Sequence, residues 1–109
     1  MAFIKVLKKD DLPVGMLREL QVEGTAIALA NVAGTFYAID NICLHRGGPL
    51  SEGELMGNSV TCPWHGWQYD ITTGQSLMNP AAGLRTFRVE VRGEEVYVDI
   101  DRAGGELPS

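Results

Sequence analysis

The sequence predicts an all-β fold of short antiparallel strands, and three observations carry that reading. Glycine makes up 13 of 109 residues, about 12% against a usual ~7%, which favours a chain rich in tight turns over a helical bundle. Short segments of strand length are separated by two-residue turn signals, Glu23-Gly24 and Ala33-Gly34. Residues 84–91 and 96–100 alternate on either side of Arg92-Gly93-Glu94, the pattern of a closing hairpin. With 45% hydrophobic and 21% charged residues, the chain reads as one ordinary globular domain, 1–109.

Taken in order, Phe3 to Leu7 alternates with lysine and suits a first strand. Asp10 to Gly15 reads as a turn, with Pro13 fixing φ. Met16 to Val22, Thr25 to Val32 and Thr35 to Ile39 form a predicted meander. Ala26 to Ala30 could be helical by propensity, yet the flanking turns leave about eight residues, closer to the length of a strand. Ser51 to Gly57 is acidic and expected to be exposed. Val60-Thr61 and residues 67–71 are expected as short strands on either side of a loop, with Thr72-Thr73-Gly74 as a turn. Residues 102–109 contain two glycines and a proline with little to bury, so a loose tail is expected.

The net charge of −5 disfavours nucleic acid and anionic membranes and favours partners with a basic docking face. No segment approaches the ~20 apolar residues that cross a bilayer; the best run, Ala26 to Val32, is broken by Asn31. The N-terminus lacks the apolar run of a signal peptide. No membrane anchor and a cytoplasmic location are therefore expected.

The chemistry is concentrated in residues 41–70, which contain both cysteines and both histidines of the chain. Cys43 and His45 form a C-x-H pair, sixteen residues follow, and Cys62 and His65 form a C-x-x-H pair. A lone Cys is usually a small buried hydrophobe and a lone His a satisfied polar group. Four such residues in two local clips set among Gly and Pro point instead to a metal site. Spacing alone also admits a Cys43–Cys62 disulfide, which leaves the histidines unexplained. It admits a structural zinc site as well, although zinc clips usually place two to four residues between ligands.

The runs C-L-H-R-G-G (43–48) and C-P-W-H-G-W-Q-Y-D (62–70) resemble the two ligand loops of Rieske iron–sulfur proteins. The resemblance implies a Rieske-like antiparallel β-sandwich with a small cluster-binding subdomain built from the two loops. It implies one [2Fe–2S] cluster, with Cys43 and Cys62 on the buried iron and His45 and His65 on the iron nearer solvent. It further implies supporting roles for Gly47, Gly48, Trp64, Gly66, Trp67 and Tyr69, and Met78-Asn79-Pro80 resembles the proline-bearing loop that covers the cluster. The two ligand loops are expected at the tips of adjacent hairpins. Trp64 and Trp67 are read as apolar shielding of the site.

Ligand charge explains the mixture: two ferric ions, two sulfides and two thiolates sum to zero, and a neutral cluster accepts an electron more readily than one held by four thiolates. The range for such clusters is roughly −150 to +300 mV, against about −400 mV for all-cysteine ones. Two departures place this chain at the lower end. Gly48 and Trp64 stand where respiratory members carry a pair of disulfide-forming cysteines, and Trp67 stands where they carry a serine that donates to a bridging sulfide.

Both histidines are used as ligands on this reading, which leaves none for the two-His mononuclear iron of an oxygenase, and no nucleotide fingerprint is present. The expected function is that of a small one-electron carrier, not an enzyme, passing electrons from a flavin-dependent reductase to a terminal oxygenase of the aromatic-ring-hydroxylating type. The alternative is the small Rieske-like subunit of an assimilatory nitrite reductase. Arg46, beside His45, is a candidate partner contact, and a monomer is expected because carriers use small, short-lived interfaces.

Overall fold

The computed structural model describes residues 3–41, 49–63, 66–78 and 83–103, the last four by backbone alone. Among the described residues, nine strands form two antiparallel sheets. The larger is built from β1 (Phe3–Lys8), β2 (Leu17–Val22), β3 (Thr25–Val32), β4 (Thr35–Asp40), β8 (Thr86–Arg92) and β9 (Glu95–Ala103), in the order β1-β9-β8-β4-β3-β2. The smaller has β5 (Glu54–Met56), β6 (Ser59–Thr61) and β7 (Gln68–Asp70) in sequence order. Single 3-10 turns at Lys9–Asp11 and Leu50–Glu52 are the helical elements among the described residues.

The meander forms as expected, with β2 against β3 and β3 against β4 in unbroken register through two-residue turns. β3 shows why a run that looks helical by composition is a strand. Large and small residues alternate along it with period two. Ile27 and Leu29 enter one core with Leu7, Phe36, Phe87 and Val98, to which every strand of the large sheet contributes. Ala28 and Ala30, on the opposite face, enter a second core with Ile39, Val60 and Tyr69. All four residues are fully buried. The large sheet thus curls around its own apolar face until β1 and β2 approach one another, and its outer face at β3 and β4 carries the small sheet. Alanine there lets the second layer come close, while each buried Ile or Leu contributes about 1.5–3 kcal/mol.

Three expectations need refinement or correction. Residues 51–57 are largely exposed as expected, Met56 at 66%, but 54–56 are not a plain loop: they form the edge strand β5, paired to β6 and anchored by half-buried Leu55. β9 continues to Ala103, so residues 102 and 103 belong to the sheet and not to a loose tail; the remainder of that tail lies outside the described residues. The first ligand segment is not at a hairpin tip: it leaves β4 of the large sheet and re-enters at the turn before β5 of the small one.

Candidate metal centre

The second ligand loop is the tip of the β6–β7 hairpin. Its last paired residues, Thr61 and Gln68, are followed by a hydrogen bond from the Cys62 N–H to the Trp67 carbonyl at 2.7 Å, and the Gly66 N–H donates to the Cys62 carbonyl at 3.1 Å. Gly66 closes the tip at φ +76°, a conformation in which a Cβ would be strained. The chain passes from the interior to solvent in one step here: Cys62 is 2% exposed, whereas Pro63 and Gly66 are exposed. Cys62 packs in the second core with Leu50, Val60, Ile71 and Leu84. Tyr69 is fully buried, and half-buried Trp67 packs against the same cluster.

The first ligand loop is pinned at its base by Asn41, itself 1% exposed. The Asn41 carbonyl accepts from the Leu50 N–H at 2.7 Å, and its side-chain Oδ1 accepts from the Ser51 N–H, also at 2.7 Å. Both ends of the segment 42–49 are therefore held by one buried residue. The loop bases are then joined through Gly53, whose N–H donates to the Leu50 carbonyl at 2.9 Å. A Cβ at Gly53 would stand 1.8 Å from the carbonyl oxygen of Thr61, the residue before Cys62. No side chain fits between these backbones, so glycine sets the distance of the second loop from the first.

A third loop leaves the far edge of β7. Ser76, buried, bridges Tyr69; the Leu77 N–H donates to the Gln68 carbonyl at 2.8 Å, and Gln75 pairs with Gly83. Leu77 and Met78 are more than half exposed at its start. Its return is fixed by Arg85, which donates to both carboxylate oxygens of Asp40 at 3.1 and 2.9 Å. That hydrogen bond raises the Arg85 pKa further above its ordinary value.

Of the residues singled out from the sequence, Cys62, Gly66, Trp67 and Tyr69 fall within the described structure and lie together at this end of the molecule. Cys43, His45, Arg46, Gly47, Gly48, Trp64, His65 and Pro80 lie outside the described residues. Asn41 and the Asp40–Arg85 pair were not anticipated, whereas Gly53 stands out in the sequence as a glycine that lets this stretch bend tightly. Asn41 stands two residues before Cys43 in the sequence, which was a usable signal; the other contacts are tertiary and left none.

Comparison with known proteins agrees with this architecture. The family model of the Rieske [2Fe-2S] domain matches residues 2–88. The chain belongs to the Rieske [2Fe–2S] family. It is 35% identical over 91 residues to the ferredoxin component of a naphthalene 1,2-dioxygenase system from Pseudomonas aeruginosa, covering 83% of this chain and 88% of that one. Its fold superposes with a TM-score of 0.83 on a chain from the complex of reduced oxygenase and oxidised ferredoxin in carbazole 1,9a-dioxygenase, at 34% identity and over 98% and 97% of the two chains. A chain assigned as the small subunit of an NADPH nitrite reductase superposes at 0.78 with 24% identity, over 90% and 98% of the chains, a likeness of fold alone.

The donor set of this Rieske chain fits an iron–sulfur cofactor. Two thiolates and two imidazoles supply the soft and borderline ligands such iron takes. The one ligand candidate within the described structure, Cys62, sits in an apolar, water-excluding cluster, with its own N–H and carbonyl both hydrogen-bonded. Among the described residues no helix is long and apolar enough to cross a membrane.

Proposed function

We propose that this chain is the ferredoxin component of a multicomponent aromatic-ring dioxygenase system, taking single electrons from a flavin-dependent reductase and delivering them to a terminal oxygenase. The observation that carries the reading is the conjunction of the Cys43/His45 and Cys62/His65 clips with relatives that are ferredoxin components of such systems at 35% identity over most of both chains. The superposition on a chain from an oxygenase–ferredoxin complex points the same way.

On this reading one [2Fe–2S] cluster is held by Cys43, His45, Cys62 and His65, and when bound it supplies the one-electron redox couple. The protein's own part is to fix the ligands and exclude water from one side. Burial of Cys62 beside Leu50 and Ile71 supports placing the thiolates inward, and the exposed backbone at Pro63 and Gly66 supports placing His65 toward solvent. The solvent-side imidazoles then give the shortest exit for the electron, with Arg46 at the rim. Its proposed role in docking predicts that Arg46→Glu alters the on-rate for a partner and its salt dependence without moving the midpoint potential. A short-lived interface suits a monomeric carrier in the cytoplasm.

The test is the absorption and low-temperature electron paramagnetic resonance spectrum of the purified protein before and after dithionite, with iron, sulfide and zinc quantified. About two irons per chain, a rhombic reduced signal with average g below that of all-cysteine ferredoxins, and a midpoint in the lower part of the roughly −150 to +300 mV range are expected. A colourless protein without iron would return the chain to the nitrite-reductase subunit reading. A potential above about +100 mV would contradict the low-potential assignment.

A further inference from the structure

Among the described residues, the bases of the three loops are tied by a series of contacts. Asp40 and Arg85, 45 residues apart, are joined four times: the Asp40 N–H donates to the Arg85 carbonyl at 3.1 Å, the Arg85 N–H to Asp40 Oδ2 at 3.2 Å, and Arg85 Nε and Nη2 to the two carboxylate oxygens. The guanidinium also lies over the buried Phe87 ring, 5.4 Å from its centroid. One residue on from Asp40 is Asn41, which holds both ends of the first ligand loop. One residue back from Arg85 is Leu84, whose N–H donates to the Gly74 carbonyl at 2.7 Å below the third loop. The β4–β8 pairing that this contact extends is itself two rungs long, Ala38 with Phe87 and Ile39 with Thr86, so the pair closes the seam where support from the ladder is least.

We infer that Asp40 and Arg85 form a positioning buckle: they hold the first ligand loop in register with the proline-bearing third loop, and so fix the surroundings of the cluster without touching it. The inference rests on the proposed function for the identity of what is positioned. Two features distinguish a buckle from a stabilising ion pair. Side chains as exposed as 45% for Arg85 and 19% for Asp40 add little to global stability as an ion pair, yet bidentate geometry with two backbone bonds fixes orientation closely. The other ion pairs among the described residues, Lys5–Glu95 and Arg92–Glu90, touch no ligand-loop base. They serve as internal controls.

The experiment compares Arg85→Gln, Asp40→Asn and the control Arg92→Gln in the intact chain. Positioning predicts that Arg85→Gln and Asp40→Asn act alike: both broaden the reduced paramagnetic signal and speed loss of the visible absorption in excess chelator at least fivefold, while Arg92→Gln stays within twofold of the parent. A purely electrostatic role predicts potentials displaced in opposite directions, because one variant removes a positive and the other a negative charge; that outcome, with unchanged rates of cluster loss, overturns the inference. A second readout needs no cluster. Amide exchange at Leu50 and Ser51, both bonded to Asn41, must quicken in Arg85→Gln while Val96 and Val98 in the barrel keep their protection; unchanged exchange at Leu50 and Ser51 also overturns it. A parent protein with no iron–sulfur spectrum would count against the proposed function, and the exchange measurement would still decide whether the buckle exists.

Discussion

The two sheets achieve order by different means. The large sheet has strands of six to nine residues, and each sends bulky side chains into a core the sheet encloses by itself. The small sheet has three strands of three residues. Its buried strand residues are Val60 and Tyr69, and the rest of its core is borrowed from the outer face of β3 and β4 and from loop residues such as Leu50, Ile71 and Leu84. A three-stranded patch of this size is marginal alone. The barrel is a self-sufficient scaffold, and the ligand-bearing layer is ordered by what lies beneath it and, on the proposed function, by the metal it binds.

The largest effect that tests this division is removal of the proposed ligand Cys62. Cys62→Ala should abolish cluster assembly altogether. It should also strip amide protection from β5, β6 and β7 while leaving β3, β8 and β9 protected, read by hydrogen exchange on the two proteins. Equal loss through both sheets would show that the layers fold as one unit and break the distinction.

Next come substitutions on opposite faces of β3. Leu29→Ala opens a cavity in the enclosed core and should cost about 2–5 kcal/mol in denaturant unfolding. Ala30→Leu overfills the seam beneath the small sheet, at about 1–3 kcal/mol, and should appear first as faster cluster loss. If Ala30→Leu left the cluster as stable as before, the two layers would be less closely packed than Ala28 and Ala30 imply.

Gly53→Ala sharpens the comparison within the small sheet. The added methyl would lie 1.8 Å from the Thr61 carbonyl oxygen, so one backbone must yield, at about 1–3 kcal/mol. Because Thr61 precedes Cys62, the displaced atom is one residue from a proposed ligand. The reduced paramagnetic signal should therefore change shape. A variant that lost stability with an unaltered signal would show that the loops adjust independently.

How far each region could be read in advance follows the same line. β3, β4 and the β8–β9 hairpin were legible because local alternation and two-residue turns determine them. The proposed ligand clips stand out in the sequence because chemistry restricts both residue type and spacing. β5 was not: three residues with Leu55 alone half-buried carry no periodic signal, and the strand exists because β6 offers a partner. The crossing from β4 of the large sheet to β5 of the small one was hidden too, since the contacts at its two ends are those of Asn41 across ten residues to Ser51 and of Asp40 with Arg85 across 45. The proposed ligand chemistry is written locally, whereas the contacts that hold its frame in place are written in tertiary structure.

The smallest effect belongs to the barrel's surface. Lys5 Nζ lies 2.7 Å from Glu95 Oε2 on adjacent strands β1 and β9. The hydrogen bond from Lys5, aided by one from Tyr97, holds the Glu95 carboxyl below its ordinary value. A carboxylate whose folded pKa is depressed contributes stability above its unfolded pKa and loses it as the pH falls through the folded value. The parent should therefore be slightly more stable than Glu95→Gln near pH 7, and the gap should close as the pH drops below about 4.5. Because both groups are exposed, the gap should also shrink in molar salt. Urea midpoints for the two proteins at pH 7 and pH 3 check the sign. No change in cluster loss should accompany them, since this pair joins β1 to β9 and supports no ligand loop; a matching change in cluster loss would mean that the scaffold and the ligand-bearing layer are coupled more tightly than their separate cores suggest.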